Sequence, residues 1–332
     1  MTRITLRTRA AALVGALVLV NAMAWLVALS ASHRSSALWG KAFLAYGFGL
    51  RHAVDADHIS AIDNTTRRLI QQEKQPLGVG LYFALGHSTI VVMLSAGLAA
   101  SSGYVIRHLP FWQDKGGLVG TLISTAFLYI IGAINLVVLW ELWRSVRRNK
   151  MGGDIAEASG PTGLLAAILK PILRLVKHSW QMYFVGFLFG LGFDTATEVG
   201  ILAMSVRSGQ VGMPFWTIMI LPLLFTVGMC LVDTLDGILM AGAYGWAYIN
   251  PARKLSYNIG ITFISVVVAF GVGTSELLQL MSERHWLTGP WAAFFKKIDT
   301  MHPGYTIIGI FVILWIVAMA RDSVRSRSEA RL

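Results

Sequence analysis

The chain has 332 residues, of which 55% are hydrophobic and only 14% are charged, and its formal net charge is +11. Long apolar segments separated by short basic ones are typical of a multi-pass membrane protein, so residues 1–332 are expected to form one transmembrane domain in contact with lipid. The basic residues fall in loops on alternate sides of the predicted spans, which argues against nucleic acid as a partner. The single cysteine, Cys230, lies in an apolar segment, so neither a disulfide framework nor a thiolate metal motif is expected.

Eight transmembrane helices are predicted, which makes the fold an all-α polytopic membrane protein. The first, Ala10–Leu29, is about twenty residues long, which fits a retained span better than the core of a cleaved signal peptide. The others are expected at about 38–62, 79–100, 117–142, 182–204, 215–249, 256–281 and 305–320. Residues 144–181 form the longest and most basic loop, and an interfacial helix broken near Pro171 is expected there.

Lysine and arginine indicate the orientation of these spans. They are more than twice as numerous in the loops on the side that holds both termini as in the loops on the other side. Because basic loops stay in the cytoplasm, both termini are expected to be cytoplasmic.

The second predicted span contains the sequence LRHAVDADHI, which starts at Leu50. Charged side chains at membrane depth cost at least ~2.5 kcal/mol each, so such a cluster indicates a site for an ion, a proton or a substrate. His52, Asp55 and His58 are spaced by three residues and therefore lie on one side of a helix. They are expected to face one cavity.

Two further residues of this stretch have open roles. Asp57 points nearly opposite to Asp55 in an ideal helix, so either it supports the site from behind or the backbone is locally unwound. Arg51 lies four residues before Asp55 and can pair with it, which is the alternative, purely structural role for that aspartate.

The third predicted span adds His87 at a depth similar to that of His52. Gly86 beside it has no side chain and would let the two helices approach closely. Three histidines at one depth, with carboxylates nearby, favour the handling of a metal or a proton over a role as isolated core residues.

Four more carboxylates lie in the fifth and sixth predicted spans, and their spacing places them in pairs on two helix faces. They are Asp194 and Glu198 in the fifth span, and Asp233 and Asp236 in the sixth. Only Arg51 is a comparably deep basic residue, so the surplus negative charge favours a cation. Imidazole together with carboxylate suits Ni²⁺, Co²⁺ or Zn²⁺ better than Na⁺, Mg²⁺ or Ca²⁺.

A weak similarity relates the two halves of the chain. GLRHAVDADH in the second span and GLGFDTATE in the fifth share a Gly-Leu start followed by alternating acidic and small residues, which makes an inverted repeat a hypothesis. Asn21 and Asn258 are also found in apolar spans. Either can support the transport path, although hydrogen bonding between helices is the commoner role.

At these residues the chain resembles the nickel/cobalt transporter family over nearly its full length. The pattern HxxxxDH occurs as His52, Asp57 and His58, FxxGHS contains His87 and Ser88, LGxDTATE contains Asp194, Thr195 and Glu198, and GMxxxDTxD contains Asp233 and Asp236. The resemblance implies eight spans, cytoplasmic termini and high-affinity uptake of Ni²⁺ or Co²⁺ across the bacterial inner membrane. It also implies that the histidines and aspartate of the second span contact the metal.

The resemblance leaves the metal open, because nickel-preferring and cobalt-preferring members share these motifs. The RHAVDADH form resembles the nickel-preferring members, and Val54 is expected to shape the size of the cavity. Nickel is therefore the favoured substrate, with Co²⁺ as a secondary substrate because neighbours in the affinity series are hard to separate.

The sequence thus predicts a secondary importer that is not an enzyme and uses no cofactor. His52, His58 and His87, with Asp55 or Asp57, are expected to bind the metal, and the four carboxylates of the fifth and sixth spans to line or gate its path. No GxxxxGK[ST] run is present, so an ion gradient or the membrane potential is the expected driving force, without an ATPase subunit. Binding requires neutral imidazoles, so uptake is expected to fall in acid.

Two alternatives belong to other classes of function. A divalent-metal efflux protein can use similar ligands, and histidine-rich cytoplasmic loops would favour it. An intramembrane metalloenzyme also needs metal ligands, but the HExxH motif is absent from the sequence.

Overall fold

The computed structural model describes residues 3–32, 37–72, 74–100, 104–149, 176–192, 195–247, 251–291 and 304–310, and the single positions 294 and 313. Within these ranges the chain forms helices and short turns, with no strand. The helices are α1 (Arg3–Ser32), α2 (Ala37–His52), α3 (Ala56–Gln71), α4 (Val79–Ala100), α5 (Tyr104–Asn149), α6 (Met182–Phe189), α7 (Ala196–Gln210), α8 (Phe215–Ile218), α9 (Ile220–Ala247) and α10 (Pro251–Glu283), and residues 304–310 are also helical.

Five helical segments of the described chain are long and apolar enough to cross a membrane: Arg7–Ser32, Val79–Ala100, Asp114–Arg144, Phe215–Gly245 and Ile259–Glu283. They correspond to five of the predicted spans and confirm an all-helical, multi-pass architecture. The second and fifth predicted spans are instead each divided into two shorter helices. Most of the eighth, and most of the loop with the expected interfacial helix, lie outside the described residues.

The second predicted span is interrupted within its histidine-rich motif. After α2 ends at His52, the backbone N–H of Val54 donates to the carbonyl of Arg51 and that of Asp55 to the carbonyl of His52, which closes a tighter turn than an α-helix. Asp55 is extended (φ −65°, ψ 145°) and occupies the N-cap position of α3. The unwound backbone that would bring Asp57 toward the site is therefore present.

The fifth predicted span is interrupted at the corresponding motif. The N–H groups of Gly190 and Gly192 donate to carbonyls at the end of α6, and α7 begins after Thr195. The Thr195 hydroxyl accepts from the backbone N–H of Glu198 at 3.4 Å and so caps α7. Both breaks lie among protein side chains and beside a cavity, where non-helical backbone is tolerated at membrane depth.

Glycines bring the central helices into backbone contact. A Cβ added at Gly86 of α4 would overlap the Tyr183 carbonyl oxygen, and one added at Gly186 of α6 would overlap the Phe83 carbonyl oxygen. The two glycines thus form a reciprocal contact. Gly86 was expected to let the second and third spans approach, but the helix it contacts is α6 of the fifth span. In the same way, a Cβ at Gly80 would overlap the Asp233 carbonyl oxygen and hence α9.

These contacts organise the core. Helices α2 and α3 both pack on α9, helices α6 and α7 both pack on α4, and α4 packs on α9. Helices α5 and α10 pack on each other beside this group, and α10 also contacts α3. Asn21 joins α1 to its neighbours, since its amide donates to the Val227 carbonyl and its oxygen accepts from the Tyr46 hydroxyl.

Helix α3 extends further than the sequence analysis predicted. The second span was expected to end near residue 62, with Arg67 in a cytoplasmic loop, but the helix continues to Gln71 and Arg67 is only 1% exposed. Arg67 donates to the Thr262 hydroxyl at 2.6 Å. The Tyr244 and Ser265 hydroxyls, at 2.5 and 3.0 Å, both donate to Asp63. Both carboxylate oxygens of Asp63 thus have a hydrogen-bond donor, whereas Nε and Nη2 of Arg67 are buried without a hydrogen-bond partner among the described residues.

Candidate metal centre

The break between α2 and α3 brings two histidines together. In a continuous helix His52 and His58 would be separated by about 9 Å along the axis. Their ring centroids instead lie 4.7 Å apart, and the His87 ring of α4 lies 4.7 and 4.9 Å from them. Each residue offers one ring nitrogen, and these three atoms lie within 4.8 Å of one another. All three side chains are buried.

Carboxylates contact the Nδ1 atoms of two of these rings. His52 Nδ1 lies 3.0 Å from Asp55 Oδ2, and His58 Nδ1 lies 3.3 Å from Asp233 Oδ2. A carboxylate at Nδ1 fixes the proton there and leaves Nε2 as a lone-pair donor. Among the described residues, His58 Nε2 is buried without a hydrogen-bond partner.

Glu198 completes the cluster from α7. Its Oε1 lies 2.9 Å from His87 Nε2 and 3.8 Å from His52 Nε2, and these two nitrogens are 2.9 Å apart. Its Oε2 accepts from the Thr195 hydroxyl at 2.8 Å. Three imidazole nitrogens therefore lie close together, with a carboxylate oxygen within 3.8 Å of two of them, and these donor types suit a borderline divalent metal.

A cavity of about 760 Å³ adjoins this cluster. Of the predicted site residues, it is lined by Arg51, His52, Asp55, Asp57, His87, Thr195 and Glu198. Asp55 and Asp57 thus share one cavity wall, because the break removes the opposite orientation expected from an ideal helix.

Other predicted residues lie elsewhere. Val54 was expected to shape the cavity, but it packs with Ile59, Met240 and Ile307 in an apolar cluster behind the break and does not line the cavity. Ser88 is buried beside His87. Asp236 is buried and, within the described part of the chain, neither of its carboxylate oxygens has a hydrogen-bond partner.

The side chains of two predicted residues lie outside the described part of the chain. Asp194 lies outside the described residues, and of Asn258 only the helical backbone within α10 is described.

The sequence analysis missed several polar residues of the cavity. Thr197 of α7 places its hydroxyl 3.2 Å from His52 Nδ1. Helix α10 contributes Glu276, Gln279 and Glu283 to the cavity wall. An available signal was Glu276 itself, because it is a carboxylate inside a predicted span, and Gln279 and Glu283 follow it at helical spacing.

Comparison with known proteins agrees with this chemistry. The profile of the NicO family, described as high-affinity nickel-transport protein, matches residues 38–321. The chain is 45% identical over 326 residues to the high-affinity nickel transport protein of Cupriavidus necator, covering 95% of this chain and 92% of the relative. It is 42% identical over 318 residues to the nickel transporter NicT of Mycobacterium tuberculosis, covering 91% and 86%.

A relative named for another metal is also similar. The chain is 36% identical over 327 residues to the cobalt transport protein NhlF of Rhodococcus rhodochrous, covering 95% of this chain and 92% of the relative. No solved structure matches the chain. The extent of the family match and of these identities shows that the chain belongs to the NicO family of high-affinity nickel-transport proteins.

Proposed function

We propose that this protein imports Ni²⁺, with Co²⁺ as a secondary substrate, across the bacterial inner membrane. The observation that carries the proposal is the convergence of three buried imidazoles and one carboxylate where two membrane helices are interrupted. Relatives named nickel and cobalt transporters support both the activity and the choice of metals.

The donor types favour a borderline divalent metal, and the relatives favour nickel within that group. Imidazole nitrogen together with carboxylate oxygen suits Ni²⁺, Co²⁺ or Zn²⁺. His52 Nε2 and His87 Nε2 are 2.9 Å apart, as are His87 Nε2 and Glu198 Oε1, so these side chains already lie within hydrogen-bond distance of one another. The relatives named nickel transporters support Ni²⁺ as the first choice.

The contacts suggest a division of roles among the polar residues. His52, His58 and His87 bind the metal through Nε2, and Glu198 provides the fourth donor. Asp55 and Asp233 hold the first two rings through Nδ1. Asp57, on the cavity wall, attracts the ion without belonging to the histidine cluster.

The transmembrane topology proposed here has eight spans and cytoplasmic termini. Five continuous spans, the broken pairs α2/α3 and α6/α7, and one span at about 305–320 give this even number. The packing supports an inverted repeat of two units, α2 to α4 and α6 to α9. In each unit a broken pair of helices is followed by a continuous helix. The pair α2/α3 packs on α9, which is the continuous helix of the second unit, and the pair α6/α7 packs on α4, which is that of the first.

The driving force proposed is the membrane potential or an ion gradient. An inside-negative potential favours cation uptake by ~2.3 kcal/mol per charge per 100 mV, which is doubled for Ni²⁺. The chain therefore needs neither an ATPase partner nor a catalytic step.

Accumulation of radiolabelled nickel by whole cells tests the direction of transport. Cells that express the protein should hold more label than cells with an empty vector, and excess unlabelled Co²⁺ should reduce this gain. Less label than in the vector control would indicate efflux, and equal label would refute nickel transport.

Replacing Asp233 with asparagine tests the positioning role of that carboxylate. Asp233→Asn should raise the nickel concentration that gives half-maximal uptake about 10–100-fold, because His58 loses the group that orients it. Glu141→Gln is the matched control, since Glu141 lies on α5, away from the histidine cluster and the cavity lining. An unchanged half-maximal concentration in Asp233→Asn, at a normal amount of protein in the membrane, would exclude this role.

A further inference from the structure

The cavity beside the metal centre extends along α10 to the protein surface. One face of this helix lines it, through Val272, Ser275, Glu276, Gln279 and Glu283. Glu276 and Glu283 are separated by about 10 Å along the helix axis, and Glu283 is exposed whereas Glu276 is partly buried. The cavity therefore connects the end of α10 to His52 and His87.

The charges along this cavity have one predominant sign. Among the described residues that line it, five are acidic, Asp55, Asp57, Glu198, Glu276 and Glu283, and Arg51 is the only lysine or arginine. A low-dielectric cleft with surplus negative charge concentrates cations and speeds their association. The volume of about 760 Å³ is far larger than a dehydrated metal ion and accommodates the ion with bound water.

Hydroxyl groups on α5 fix the carboxylate of Glu276. Ser124 donates to Glu276 Oε2 at 2.7 Å and Thr125 at 3.4 Å. Hydrogen bonds from these hydroxyl groups hold the carboxylate of Glu276 in place at the cavity wall. At the surface end of the cavity, Arg284 Nη1 lies 2.6 Å from Asp114 Oδ1. Arg284 follows Glu283 in the sequence, and its guanidinium group therefore already has a carboxylate partner.

We propose that Glu276 and Glu283 form an outer vestibule that captures hydrated Ni²⁺ and passes it to the histidine cluster. The inference rests on the proposed import of Ni²⁺ and on the proposed topology, in which the C-terminal end of α10 faces the outside. Glu283 meets the ion first, and Glu276 holds it one step before His52 and His87. The ligand is a hydrated divalent cation, and the two carboxylates bind it through its water molecules.

The concentration dependence of the initial rate of nickel uptake tests this role. Glu276→Gln and Glu283→Gln should each raise KM about fivefold while the maximal rate changes less than twofold, because they weaken capture and leave the metal ligands intact. Gln279→Glu adds a carboxylate to the same wall and should lower KM. Glu141→Gln is the matched control, since Glu141 lies on α5 and does not line the cavity.

Chemical modification tests which side the vestibule faces, even if a glutamine variant fails to fold. Cys230 is the only cysteine, so Cys230→Ala with Glu283→Cys leaves a single thiol at the vestibule. A membrane-impermeant methanethiosulfonate that carries a positive charge, added outside intact cells, should reduce nickel uptake by this variant. A negatively charged methanethiosulfonate should instead lower its KM for nickel to that of the unmodified protein.

The outcomes separate this inference from the proposed function. If the unmodified protein accumulates nickel but both glutamine variants keep its KM, or if the thiol reacts only from the cytoplasmic side, the vestibule is refuted while import stands. If the unmodified protein accumulates no nickel, import itself is refuted.

Discussion

Replacing His52 or His87 with alanine is expected to abolish nickel accumulation while the protein remains in the membrane. Their Nε2 atoms are buried and 2.9 Å apart, and among the described histidines His58 alone shares this cluster with them. Structural zinc sites with four protein ligands bind with ~10–16 kcal/mol, and on that scale one ligand is worth roughly 3 kcal/mol, or on the order of 100-fold in affinity.

The measurement is uptake of labelled nickel at trace concentration, together with equilibrium dialysis of the metal against the purified variants. His178→Ala is the control, because His178 is exposed and outside the cluster. Wild-type uptake by His52→Ala, in a membrane that contains normal amounts of protein, would show that His52 is not a ligand.

Replacing Gly186 with alanine is expected to destabilise the protein although the change adds only one methyl group. The new Cβ would overlap the Phe83 carbonyl oxygen, and a backbone atom cannot rotate away as a side chain can. Helices α4 and α6 must therefore separate. Such overpacking costs about 1–3 kcal/mol or more, so the midpoint of thermal unfolding in detergent should fall by roughly 5–10 °C.

Gly86→Ala should have a similar effect, since Gly86 faces the Tyr183 carbonyl oxygen across the same contact. Gly47→Ala in α2 is the matched control, because a Cβ there meets no atom within 4 Å. That substitution should leave stability unchanged or raise it, since alanine favours helix more than glycine. Equal midpoints for Gly186→Ala and Gly47→Ala would show that α4 and α6 are not in backbone contact.

The histidine cluster could be predicted from sequence because ionisable groups are rare inside apolar segments. His52, His58 and His87 do converge, and the family implied by their motifs is confirmed. The continuous spans could also be predicted from sequence, since an apolar run of sufficient length predicts a membrane helix whatever helices it packs against.

The helix breaks were not predictable in the same way. Apolar residues flank both motifs, so the second and fifth spans were each expected as one helix, with a locally unwound backbone near Asp57 as the alternative. Asp55 and Thr195 occupy the N-cap positions of α3 and α7, and the separated halves pack on α9 and α4, contacts that the local sequence does not specify. The position of Val54 behind the break, and the burial of Arg67 against Thr262, depend on the same tertiary contacts.

The three residues between α2 and α3 also confine any bending of this element to a few peptide groups. Torsion at Ala53, Val54 and Asp55 would turn α2, with His52 at its end, relative to α3, where His58 Nδ1 lies 3.3 Å from Asp233. The distance between His52 and His58 would then change without the unwinding of a complete helix. If both histidines bind the proposed ion, such a turn would weaken one ligand while the other keeps its position.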